Sequence, residues 1–148
     1  MSGMVPLAIL MVLAFALGSL CKDLGTGIYV AETAKGFILP AFVPAMIFLI
    51  SCFVAFSTGT SWGTFAIMIP IAVPLALSMD VPPTLAIAAA IGGGVFGDHC
   101  SPTSDTSIIA SMATANDHID HIRTQLPYAL IGGAITTGLY LILGFISA

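Results

Sequence analysis

Twenty consecutive residues, Phe37 to Phe56, contain no charge and a single hydroxyl, Ser51. A helix needs about 20 largely apolar residues to cross the hydrocarbon core of a bilayer. This stretch meets that length unaided, so the chain is expected to span a membrane. Pro40 and Pro44 stand near its start. Pro44 is expected to kink it, because proline lacks a backbone donor and clashes with the preceding turn. Met4 to Leu20 meets the lower limit of about 17 residues and stops at Cys21-Lys22-Asp23. Phe65 to Ser78 is apolar up to a turn at Asp80-Val81-Pro82-Pro83, and Leu126 to Ile146 supplies a last span after a polar loop over 116–125. Shorter pieces lie between. Gly25 to Gly36, with Glu32 and Lys35, reads as an interfacial or partly buried helix, and Thr84 to Phe96 is too short to cross alone.

Charge is scarce everywhere. Of 148 residues 58% are hydrophobic and only 7% charged, where a soluble domain carries about 25%. So few charges cannot cover a water-facing surface, and membrane lipid is the expected surrounding. The fold class is all-α integral membrane protein, with about five or six membrane-embedded segments in a single membrane domain over 1–148. The net charge of −4 comes from three basic and seven acidic side chains with no run of either sign. That excludes nucleic acid as a partner, which demands a basic patch. Cys21, Cys52 and Cys100 are odd in number and lie in or beside apolar runs, so no disulfide framework is read. The first apolar run lacks a basic preceding region and a small-residue cleavage site, and reads as a membrane helix rather than a signal peptide.

Against this background Gly97-Asp98-His99-Cys100-Ser101-Pro102-Thr103-Ser104-Asp105-Thr106 stands out. Proline at 102 cannot bond the carbonyl of Asp98. Gly97, after Gly92-Gly93-Gly94, suits a helix end, and Ser101-Pro102 suits a helix start. Two half-helices are expected, with 98–101 unwound between them and the second running from about Pro102 to Ala115. Such a break aims carbonyls from one side and amides from the other at one point. At membrane depth it is tolerated only where protein or a cavity surrounds it, and transporters coordinate Na⁺ or H⁺ in such places. Each intramembrane Asp costs about 2.5–3.5 kcal/mol, a cost that Ser or Asn would avoid. Asp98 and Asp105 are therefore the expected ion and proton ligands. Ser101, Ser104 and Thr106 add oxygens, with Thr103 a further candidate.

Residues 57–64, S-T-G-T-S-W-G-T, interrupt the apolar pattern a second time. Ser57, Thr58 and Thr60 offer oxygens there, and an ordinary small-residue helix contact is the alternative. Gly59-Thr60-Ser61-Trp62-Gly63 matches the G-x-S-x-G nucleophile pattern, which has meaning only on a strand-to-helix turn. A membrane hydrolase using Ser61 is therefore a rival class. Elsewhere the sequence is ambiguous. The 97–106 motif also fits a polar turn at the membrane surface. His99 and Cys100 are adjacent rather than at a usual zinc spacing, so no transition-metal site and no cofactor is expected. Asp23 is either a loop charge beside Lys22 or a third intramembrane acid. His118 and His121 with Asp117 and Asp120 fit either a metal or pH-sensing cluster or a solvated loop. Orientation turns on three basic residues. A single crossing by 84–115 sets Arg123 opposite Lys22 and Lys35, and a re-entrant hairpin sets all three on one side, as the charge rule favours.

The run 97–106, with Asp117-His118-Ile119-Asp120-His121, Thr124-Gln125-Leu126-Pro127-Tyr128, C-K-D-L-G-T-G at 21–27 and S-T-G-T-S-W-G-T-F at 57–65, resembles the NhaC-type sodium/proton antiporters. The resemblance covers nearly the whole chain. It implies cation/proton exchange, in some relatives coupled to organic anions, by inverted repeats with broken helices. It also implies a longer protein, of which this chain corresponds to one repeat in the C-terminal part, so that a second copy or the missing N-terminal half is the expected partner. Matching positions make Asp98, Ser101 and Asp105 the implied cation and proton residues, with His99 tuning the proton affinity beside it. The expected mechanism is competition between sodium and protons at Asp98, with Asp105 assisting, in a prokaryotic inner membrane. A non-transporting assembly subunit or fragment is the other rival.

Overall fold

The computed structural model describes residues 4–34 and 38–147, seven α-helices with no strand among them. In chain order these are α1 (Met4–Asp23), α2 (Thr26–Ala34), α3 (Val43–Thr58), α4 (Ser61–Ser78), α5 (Pro83–Cys100), α6 (Asp105–Ala113) and α7 (His118–Ser147), with a 3₁₀ turn Pro40–Phe42 leading into α3. Three helical stretches, Pro40–Thr58, Ser61–Ser78 and His118–Ser147, are long and apolar enough to cross a membrane. The boundary around Lys35, on which the second segment and part of the charge comparison rest, lies outside the described residues.

Helix α3 is the spine. It packs along α5 and touches α7 and α4, while α4 lies on α5 and carries α1 and α2 on its other side. The core is thin and built of small residues. Ala72, Ala76, Ala86, Ala89 and Ala90 are fully buried beside a few larger chains such as Phe48, Met68 and Leu75. Phe48 ties three helices together, its ring centroid 6.0 Å from Phe96 of α5 and 5.4 Å from Tyr140 of α7. Outward faces are apolar instead: Phe53, Ile109, Tyr128, Phe145 and Ile146 are all exposed. Without a water-driven core to hold helices together, close backbone approach carries the packing.

Several elements depart from the sequence expectation for clear reasons. Pro44 does not kink α3. It falls in the first turn, where its missing N–H would have had no partner in any case. The triplet Gly92-Gly93-Gly94 and Gly97 do not end a helix; all lie inside α5, which runs to Cys100. Residues 118–125, read as loop, form the first turns of α7. Asp117 explains that start, since its Oδ1 accepts from the amides of Ile119 (2.9 Å) and Asp120 (3.3 Å), a helix N-cap. The polarity of this stretch reflects a helix reaching beyond its apolar part rather than a loop.

Candidate ion-binding site

Asp98 reaches the interior because α5 is pressed against α3. A Cβ on Gly93 would meet the Phe48 carbonyl and lie 2.7 Å from Ser51 Cβ. One turn on, a Cβ on Gly97 would meet the Cys52 carbonyl and lie 2.8 Å from Ala55 Cβ. Glycine four residues apart lets two helix backbones touch. The next residue after the second contact is Asp98, only 5% exposed.

The helix break falls three residues later than expected. Pro102 forces the residue before it out of the helical region, and Ser101 accordingly sits at φ −77°, ψ 130°. Its own amide still donates to the Asp98 carbonyl at 3.1 Å, so the oxygen expected to be freed is used in closing α5. Residues 101–104 are the unwound stretch. Helix α6 then starts on Ser104 rather than Ser101: the Thr106 amide donates to Ser104 Oγ at 3.2 Å. Asp98 thus lies on the last turn of α5, against carbonyl ends that disfavour negative charge, and faces the amide end of α6, which favours it.

The carboxylate is held by hydroxyls. Ser104 donates to Asp98 Oδ1 at 2.7 Å, Thr106 Oγ1 faces Oδ2 at 3.4 Å, and the two hydroxyl oxygens lie 2.7 Å apart. Among the described residues no ion pair neutralises Asp98. Ser104 is fully buried, so four oxygens converge beside a buried acid: two of Asp98, one of Ser104 and one of Thr106.

The two interrupted segments meet. Helix α3 ends on Gly59, whose amide still donates to the Ala55 carbonyl at 2.8 Å and whose left-handed φ of 67° then turns the chain out of the helix. A Cβ there would lie 2.6 Å from Thr103 Oγ1 and 2.9 Å from the Thr103 carbonyl. Ser101 Oγ donates to the Phe56 carbonyl at 2.7 Å. Having given its one hydrogen away, Ser101 accepts from the Thr103 hydroxyl (2.9 Å) and amide (3.3 Å). The hinge between α3 and α4 is therefore packed and hydrogen-bonded onto the break between α5 and α6.

Other candidate residues lie elsewhere. Asp105 occupies the first turn of α6 and is exposed; that position complements the helix dipole and makes no hydrogen bond to the Asp98 cluster. Ser57 and Thr58 return their hydroxyls to the Phe53 and Val54 carbonyls of their own helix. Thr60 is the residue before α4, and its carbonyl accepts from Thr64. Asp23 is the exposed end of α1. His99 is exposed, its Nδ1 2.9 Å from the Val95 carbonyl, while neighbouring Cys100 is buried. Ser61 opens a helix after a helix-to-helix turn, without the strand that gives a nucleophile elbow its geometry.

Sequence reasoning missed the Phe56 carbonyl, which no residue type announces, and, having placed His118 with His121, Asp117 and Asp120, it missed the contact that His118 makes with the break. His118 has Nε2 2.8 Å from the Pro102 carbonyl and Nδ1 3.2 Å from Ser111 Oγ. A separate apolar groove of about 730 Å³ runs between α1 and α4, walled by Gly18, Phe65, Pro70 and Pro74 with Lys22 at its edge. It holds no carboxylate and is not part of the Asp98 cluster.

Residues 1–145 match the sequence profile of the Na⁺/H⁺ antiporter family. The chain belongs to that family. An uncharacterised protein of Haemophilus influenzae is 42% identical over 89% of this chain and 26% of its own length. The arginine/ornithine antiporter ArcD of Halobacterium salinarum is 32% identical over 84% and 26%. The Na⁺/H⁺ antiporter NhaC of Alkalihalophilus pseudofirmus is 31% identical over 72% and 23%. This antiporter-family chain thus spans about a quarter of the length of the curated relatives it matches. No solved structure matches it. Family membership and the apolar helices make it an all-α membrane protein of a transporter family.

Proposed function

We propose that the chain forms the ion-binding part of a sodium/proton antiporter, with Asp98 as the group that sodium and a proton occupy in turn. The observation that carries this is the hydrogen inventory around Asp98. Three oxygen–oxygen contacts link Asp98, Ser104 and Thr106, yet the two hydroxyls supply only two hydrogens. A proton on Asp98 supplies the third and closes the ring. Removing it leaves a carboxylate and a hydroxyl oxygen with lone pairs turned to the same point, which suits a hard cation preferring oxygen ligands. Sodium and the proton then exclude each other at the same oxygens.

The site works only if it is exposed to one side of the membrane at a time, and the contact between the two interrupted segments offers a joint for that motion. The surrounding is a prokaryotic inner membrane. The partner is membrane lipid together with either the N-terminal half or a second copy, since a midplane site is built at a repeat interface. No cofactor is involved; sodium and protons are cargo. The similarity to ArcD favours a second reading, in which an organic ion takes the place of sodium at a site of this architecture.

The test is sodium-triggered proton flux in liposomes, with the chain reconstituted alone and as the matching segment of a full-length relative. Asp98→Asn should abolish flux while insertion is kept. Flux retained in that variant would remove Asp98 from the mechanism. Flux driven by arginine but not by sodium would select the second reading.

A further inference from the structure

The break that carries Ser104 has few internal supports. Within 101–104 the Ser104 amide reaches the Ser101 carbonyl and the Thr103 amide reaches Ser101 Oγ, both at a long 3.3 Å, and the one short bond, Thr103 hydroxyl to Ser101 Oγ at 2.9 Å, ties those two residues together without holding Ser104. Pro102 has no amide to contribute, and both it and Thr103 are exposed. Yet the position of Ser104, six residues from Asp98, decides whether its hydroxyl meets the carboxylate at 2.7 Å. Something outside the segment must fix it.

We infer that His118 is a positioning residue for the ion site, a strut that holds the 101–104 break by its Pro102 carbonyl and so sets Ser104 on Asp98. The inference rests on the assignment of Asp98 as the ion ligand. A carbonyl only accepts, so His118 Nε2 carries the hydrogen of the 2.8 Å contact. The other ring nitrogen lies 3.2 Å from Ser111 Oγ, whose hydroxyl also lies 2.8 Å from the Ile108 carbonyl. Both ends of the strut are anchored. His118 begins α7, where the Asp117 carboxylate caps the next two amides, and Ser111 lies buried on the last turns of α6. One imidazole therefore joins the start of α7, the far end of α6 and the loop preceding α6. A flexible side chain would lose more rotamer freedom in bridging them.

Two other clasps act at the ends of the break: Ser101 Oγ donates to the Phe56 carbonyl at 2.7 Å and holds its first residue, and Ser107 Oγ donates to the His99 carbonyl at 3.2 Å, linking α6 to the end of α5. The latter holds the helix rather than the loop. Only His118 among the described side chains reaches the Pro102 carbonyl, at the middle of the break.

Hydrogen–deuterium exchange of the chain in nanodiscs tests the strut directly, read on the peptide spanning 101–106. His118→Ala should speed exchange there about tenfold with the α3 peptide unchanged, and His118→Gln, which keeps a donor for the carbonyl and an acceptor for Ser111, should restore it. Unchanged exchange in His118→Ala, or equal loss in both variants, would overturn the inference. A functional readout follows in whichever reconstituted form responds to sodium. His118→Ala should raise the sodium concentration for half-maximal flux about tenfold and lower the maximal rate much less, with His118→Gln near the parent. Asp98→Asn separates the two claims: flux surviving in that variant defeats the site assignment, whereas its loss together with an unaltered sodium dependence in His118→Ala defeats the strut alone.

Discussion

Gly59 carries two demands that no other residue type meets together. Its φ of 67° lies in the left-handed region, which costs a non-glycine residue roughly 1–2 kcal/mol. The space where a side chain would start is filled by Thr103, 2.6 Å from the position of a Cβ. Gly59→Ala should therefore lower stability by about 2 kcal/mol and push Thr103 off Ser101, checked by a detergent-denaturation midpoint and by faster exchange at the Thr103 amide. Identical values in the variant would mean that hinge and break do not press on each other. Residue chemistry was legible in the sequence where it is self-announcing: an Asp among hydroxyls in an apolar run, four residues before a proline, already pointed to a buried acid. Contacts made by backbone carbonyls were not. Phe56 contributes an oxygen that any residue would have, and His118 meets Pro102 across sixteen positions, a pairing that depends on how α6 turns into α7.

At the scale of elements, helix boundaries fall within both stretches that the sequence singled out, at 59–60 and 101–104, while several boundaries and the role of the α5 glycines differ from expectation, each for a physical reason. The break near 97–106 was inferred from the bond that Pro102 cannot make. The bond that Ser101 does make to the Asp98 carbonyl, tightening the last turn, shifts it along the chain and leaves Asp98 helical. The glycines of α5 were read as a helix end because glycine commonly ends helices. In an apolar environment the same residue serves close helix contact, and neighbours absent from a local reading decide which role applies. The packing predicts a graded response. Gly97→Ala places a methyl onto the Cys52 carbonyl and Ala55, so α5 must move from α3 at a cost of about 1–3 kcal/mol. Because Asp98 is the next residue, flux should fall along with thermal stability. At Gly132, where nothing lies within 4 Å of a Cβ, the same change should leave flux unaltered and raise stability by about 0.5–1 kcal/mol, the helix preference of alanine over glycine. Equal effects at the two positions would mean that helix propensity, not the α3–α5 contact, governs the outcome.

For the molecule as a whole, the distribution of burial leaves the proposed ion site with an exposed polar edge. The polar cluster sits where α3, α5 and α6 converge, but α7 is exposed along most of its length, with Leu130, Ile131, Ile135, Leu139 and Ile142 all facing outward. Lipid covers such a surface adequately. It does not suffice at Thr106, which is exposed and whose hydroxyl belongs to the Asp98 ring: with the proton gone the ring lacks a hydrogen, and a polar group left unsatisfied in hydrocarbon costs several kcal/mol. Either water or a second protein surface lies there, and the alternating exposure proposed above would need both in turn. The chain covers 26% of the length of its H. influenzae relative, which leaves ample sequence in such proteins for that second surface. Liposomes holding this chain alone should therefore insert it in helical form yet show no sodium-triggered proton flux, whereas the same residues substituted into the matching segment of a full-length relative should sustain it. Flux from the chain alone, growing with the square of its density in the membrane, would identify a second copy as the other surface instead.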